Sequence, residues 1–198
     1  MNISTRASLL NRIKNVDDQR SWRDFFDIYW RLIYGVAIKA GLTDSEAQDV
    51  VQDTIIDVAR RIPDFDYRAG RDSFKGWLLQ IIRWKIADQF RKRPPLDASE
   101  GKGKTKFLEG LPDPARSDLD KIWDEEWEKN LLKNALRRVK SQVSSKHYEV
   151  FKLYALDHKP VEEVAKATGV SVAQVYVIKH RVADLLRKEV RRLETKVI

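Results

Sequence analysis

Apolar residues recur along this chain at intervals of three and four, the spacing that stacks side chains on one face of an α-helix. No stretch alternates apolar with polar positions long enough to make a half-buried strand, and no Asn-Gly or Asp-Gly pair marks a hairpin. The pattern predicts an all-α fold. Helices are expected at about 2–15, 21–41, 44–62 and 73–92, and again at about 118–143, 145–156, 160–168 and 172–193. Their ends have physical causes. Gly41 suits a helix C-terminus, Thr43 and Glu46 have the spacing of a capping box, Pro63 stops the third helix, Asp72 or Ser73 can cap the fourth, and Pro94-Pro95 closes it.

Four of the six prolines and three of the eight glycines fall between positions 94 and 114. That density predicts two small helical domains joined by a flexible linker: an N-terminal domain over 1–93, a linker over 94–117 and a C-terminal domain over 118–198. With 198 residues and 42% hydrophobic content, the chain can build such cores. Its formal charge of +8 favours a polyanionic partner, nucleic acid or a membrane surface. The longest apolar run, Leu32 to Ile38, is far short of the ~20 residues of a spanning helix, and the N-terminus lacks a signal-peptide pattern, so no membrane insertion is expected. Lack of cysteine excludes disulfides and thiolate chemistry and fits a cytoplasmic protein. His147, His158 and His180 are too scattered for a metal cluster. With no Gly-rich phosphate loop, nucleophile elbow or paired carboxylates, neither a catalytic site nor a cofactor or small-molecule substrate is expected.

The segment Val161 to Leu186 has the form of a helix-turn-helix. Ala165 is small where two helices must approach, Gly169 supplies a positive φ at the turn, and Val164, Val170, Val175 and Ile178 fill the interior. Ser171 is placed to cap the second helix. Ala173, Tyr176, Val177, His180 and Arg181 face away from its buried stripe. With Ser171 and Gln174 they form a candidate surface for base edges in a major groove, while Lys179, Arg187, Lys188, Arg191 and Arg192 suit phosphates.

Two helices in the first half have unusual faces. Opposite its buried stripe, the helix from Asp44 carries Asp49, Gln52, Asp53 and Ile56, an apolar side chain on a polar face. Asp44 to Asp57 holds five acidic residues and no basic one, which would repel DNA and attract a basic protein surface. An isolated exposed isoleucine is equally the bland reading. The helix from Ser73 leaves Trp77, Gln80, Trp84, Asp88 and Arg91 on a second side, with Arg83, Lys85, Lys92 and Arg93 nearby. The indoles could stack unpaired bases at ~1–3 kcal/mol each while the cations hold phosphates, or they could belong to the core.

Together these segments resemble the extracytoplasmic-function branch of the bacterial sigma factors, over nearly the whole chain. LTDSEAQDVVQDTIIDVAR (Leu42 to Arg60) resembles the polymerase-docking helix. FKGWLLQIIRWKIADQFRKR (Phe74 to Arg93) resembles the minus-ten melting and reading segment, and KPVEEVAKATGVSVAQVYVIKHRVADLLRKEV the minus-thirty-five helix-turn-helix. The resemblance implies a non-enzymatic subunit of RNA polymerase that docks on core polymerase through Asp49, Gln52, Asp53 and Ile56. It implies that Trp77, Gln80, Trp84 and Asp88 capture a flipped base of promoter DNA, and that an anti-sigma factor sequesters the subunit. The chain departs from the family pattern at Trp84, where many relatives carry Asn, and at Tyr176 and Val177, often Arg or Ser. Two rival readings are a helix-turn-helix regulator acting on duplex DNA without polymerase, and an all-helical adaptor. The acids Asp118, Asp120, Asp124, Glu125, Glu126 and Glu128 suit either a solvated helix or a contact with the polymerase cleft.

Overall fold

The computed structural model describes residues 6–65, 73–93 and 113–194, and every regular element among them is helical. In order these are α1 (Arg6–Ile13), α2 (Gln19–Lys39), α3 (Asp44–Arg61), a 3-10 turn (Ile62–Asp64), α4 (Phe74–Lys92), α5 (Asp113–Gln142), α6 (Ser145–Phe151), a π-helical turn (Lys152–Leu156), α7 (Val161–Thr168) and α8 (Val172–Glu194). Two compact units meet between Asn130 and Leu131.

The helix ends follow the expected chemistry. Gly41 adopts φ +93° at the end of α2, and the Leu42 amide donates to Ala37. Thr43 and Glu46 complete the capping box of α3: the Thr43 amide donates to the Glu46 carboxylate at 2.8 Å and the Glu46 amide to the Thr43 hydroxyl at 3.4 Å. Ser73 caps α4 by accepting from the Gly76 amide at 3.1 Å, whereas the alternative cap, Asp72, lies outside the described residues. So do the Pro94-Pro95 stop, positions 94–112 of the expected linker, and the start of the first expected helix before Arg6.

In the first unit, Phe25, Tyr29 and Phe74 form an aromatic centre, with centroids of Tyr29 and Phe74 5.5 Å apart. Val36, Ala47, Val50, Val58, Leu78 and Ile82 close around it. The beginning of α5 packs here too, and the first unit extends to Asn130. Helix already runs from Asp113, with Pro114 in its first turn, where a missing amide costs no hydrogen bond. Leu119, Trp123 and Trp127 recur every fourth residue and are buried, Trp127 lying 6.2 Å from the Tyr29 ring. A methyl at Gly35 would come within 2.9 Å of the Glu126 carboxylate, so α2 leaves room there for α5. The acids around this row are not merely solvated. Lys39 holds Glu125 and Glu126 at 3.2 and 3.0 Å, Lys75 holds Asp124 at 2.5 Å, and Arg83 pairs with Asp120.

The second unit has a core of Val139, Val150, Phe151, Val164, Val175, Ile178 and Val182. Gly169 sits at φ +63° between α7 and α8 with open space around its α-carbon, so the turn conformation rather than crowding requires glycine. Arg138 reaches the Glu189 carboxylate at 3.4 Å and Gln142 donates to it at 3.1 Å. Burial alone would push the pKa of Glu189 up, but these donors outweigh it and hold the group below the usual carboxylate range.

Candidate protein-docking and DNA-reading surfaces

The exposed face of α3 is one wall of a groove, and α2 is the other. Asp49 and Gln52 are exposed, Asp53 is half-buried and Ile56 is 42% exposed. Across from them stand Phe26, Trp30 and Tyr34 of α2. With Gln48, Gln52, Ile55 and Ile56 they line a space of about 750 Å³. Phe26 and Trp30 stack at 6.2 Å with planes 13° apart, and the Arg31 guanidinium lies 4.8 Å from the Trp30 centroid. The sequence reading missed this wall. Its signal was nevertheless present, because Phe26 and Trp30 lie four residues apart on a side of α2 that borders the buried row of Phe25 and Tyr29.

The acidity of this face is smaller than the five carboxylates suggest. Asp44 accepts from the Tyr34 hydroxyl and from Gln48, and the bond to Asp44 pushes the tyrosine's pKa above its ordinary value. Glu46 is held by Arg93 and Thr43, which bring its carboxyl down to about 2. Asp57 turns inward and meets Lys85 at 2.9 Å. Asp49 and Asp53, like Asp44, are in no ion pair among the described residues, and they lie seven and three residues before Ile56 on α3.

Helix α4 presents its two tryptophans differently. Trp84 is 57% exposed beside the exposed Gln80, an indole held out on a polar helix. Trp77 is half-buried, its centroid 4.8 Å from Phe65 and 5.6 Å from Phe74, so one face belongs to the edge of the core. The cations are also largely engaged. Arg83 pairs with Asp120, Arg91 with Asp88, and Arg93 with Glu46 and the Gly41 carbonyl. Lys85 and Asp57, only 17% and 15% exposed, tie α4 to α3 on the side away from Trp84. Lys92 is exposed.

On α8, Tyr176 and Val177 are 43% and 49% exposed, with Ala173, His180 and Arg181 on the same outer side, while Lys179 is half-buried. Ser171 and Gln174 cap the helix reciprocally: the Gln174 amide donates to the Ser171 hydroxyl at 3.2 Å and the Ser171 amide to the Gln174 side-chain carbonyl at 2.8 Å. Both side chains are thereby committed to the helix start.

The family described as Sigma-70 region 2 matches residues 25–94, which span α2, α3 and α4. The chain is 28% identical over 188 residues to the ECF RNA polymerase sigma factor SigW of Bacillus subtilis (strain 168), covering 92% of this chain and 96% of that protein. The chain thus carries a match to Sigma-70 region 2 and is similar along nearly its whole length to an extracytoplasmic-function sigma factor. Two solved structures are also similar to this chain. CnrH in complex with the cytosolic domain of CnrY is 21% identical, covers 92% of this chain and 94% of that one, and has a TM-score of 0.38. The RsbN-BldN complex is 19% identical, covers 90% and 97%, and has a TM-score of 0.36. The region 2 match contains the α2–α3 groove and the exposed Trp84, and the likeness to SigW covers 92% of this chain. Among the described residues, no helix is long and apolar enough to cross a membrane.

Proposed function

We propose that this chain is the promoter-specificity subunit of RNA polymerase, acting in the cytoplasm. It docks on core polymerase through the α2–α3 groove, reads and opens the minus-ten element with α4, and reads the minus-thirty-five element with α8. The likeness to SigW along 92% of the chain is the observation that carries this reading. Members of the family are non-enzymatic subunits, and the polymerase performs the chemistry.

Each surface supplies a physical reason. An apolar groove flanked by Asp49 and Asp53 suits a partner surface with apolar and basic side chains. Trp84 offers a free indole face on which an extruded base can stack. Tyr176, Val177, His180 and Arg181 offer apolar and hydrogen-bonding groups to a major groove. An anti-sigma factor completes the proposed partners, by covering these same surfaces. A regulator working without polymerase would leave the groove and the exposed indole of α4 without a role.

The docking assignment is tested by the double substitution Asp53→Lys with Ile56→Glu. Both side chains lie outside the core, so the variant should keep its helical circular dichroism. It is expected to lose co-purification with core polymerase, and undiminished co-purification would reject the groove as the docking site.

A further inference from the structure

Tyr176 is the largest side chain on the outer face of α8 near its start. Its backbone is fixed, because Val175 before it is fully buried and Ile178 two residues on is 7% exposed. What remains free is the side chain itself, and a second tyrosine limits that freedom. Tyr154, half-buried, meets the Tyr176 ring edge to face, with centroids 5.7 Å apart and planes at 88°. Such a contact favours one ring orientation by about 0.5–1.5 kcal/mol. The polar ends interact too, and hydrogen bonding with Tyr154 is the leading cause that pushes the Tyr176 phenol pKa above its ordinary value.

Tyr154 can serve as a wall because its own backbone is anchored. It lies in the π-helical turn Lys152–Leu156, where the Asp157 amide donates to the Lys152 carbonyl at 2.9 Å and the Lys159 amide to the Leu153 carbonyl at 3.0 Å. Its neighbours Leu153 and Ala155 pack against the core of the second unit. A rigid turn outside the reading helix thus holds one of the side chains that the helix exposes.

We propose that Tyr154 is a positioning residue that fixes the orientation of Tyr176 and thereby sets the base preference at one step of the upstream promoter element. The proposal rests on the reading that α8 contacts that element. Tyrosine has few rotatable bonds, so a held ring can discriminate between base edges, whereas a mobile one averages over them.

The test uses holoenzyme assembled from the full chain and core polymerase, transcribing a promoter library randomised over the upstream element, with the transcripts sequenced. Tyr154→Ala should lower discrimination about three- to tenfold at a single base-pair step, the step that Tyr176→Ala also affects, and leave the other steps unchanged. Tyr154→Phe keeps the ring and should retain the wild-type preference. Tyr154→Leu keeps apolar bulk without a ring and should behave as the alanine variant, which covers the case in which alanine prevents folding. An even loss at every step, or an unchanged preference where Tyr176→Ala alters it, would overturn the positioning role. If neither Tyr176→Ala nor Arg181→Ala alters any step, α8 does not read the element, and the underlying reading fails along with the proposal.

Discussion

Trp84 is the residue on which the melting role turns. An indole 57% exposed contributes little to the core, so Trp84→Ala should change folding stability by less than about 0.5 kcal/mol. Losing a stacking platform should cost the open complex ~1–3 kcal/mol, roughly tenfold or more in its population, while closed-complex affinity changes little. Permanganate reactivity of melted thymines, set beside filter binding of the closed complex, measures both. An equal loss at the two stages would remove the stacking role. The sequence placed both Trp77 and Trp84 off the aliphatic stripe but left open whether either joins the core, because periodicity places a side chain on a face without showing which distant rings meet it there. Phe65 lies outside α4 altogether, and its contact with Trp77 is tertiary.

Single elements were legible where local chemistry decides them. Gly41, Thr43 with Glu46, Ser73 and Ser171 end or start helices through bonds within a few residues, and such bonds can be read from spacing alone. The partner of Gln174 was equally local and could have been found from the same Ser-x-x-Gln spacing. Helix α5 shows where local reading stops. The proline-rich stretch before it marks a break in the chain, but a return of the following turns to the first core depends on Trp123 and Trp127 finding Tyr29. Truncating Trp127 to alanine should therefore cost about 3–5 kcal/mol, and hydrogen exchange should show the lost protection in α2 and α4. Loss of protection confined to α6, α7 and α8 would return the start of α5 to the second unit.

The tie between Arg93 and Glu46 links the end of α4 to the start of α3, and it has a pH signature. The folded carboxyl is depressed to about 2 from an ordinary value near 4.5, so the unfolded chain binds the proton first. Its stabilisation is complete above the ordinary value and fades as pH falls toward about 2. The stability difference between wild type and Glu46→Gln, from urea unfolding, should shrink across that window. A difference independent of pH would mean that the carboxylate charge contributes nothing.

At the scale of the whole molecule, the three surfaces have one feature in common: each puts side chains of a kind usually buried or paired into the open on an otherwise satisfied helix. Ile56, Trp84 and Tyr176 occupy such places on α3, α4 and α8. The all-helical fold and the order of these segments were visible in the sequence because each is a continuous amphipathic stretch. The aromatic wall on α2, the acids of α5 that engage Lys75 and Arg83, and the tyrosine pair of the second unit depend on contacts between elements, and these emerge only when the chain is folded. The charge of +8 is therefore not all at liberty to meet DNA.

The most direct measurement is run-off transcription with purified core polymerase and this chain on a library of genomic promoter fragments. The account predicts discrete transcripts that require the chain and begin downstream of a small set of fragments sharing two short sequence elements. Transcription that is the same with and without the chain, on every fragment, would contradict it.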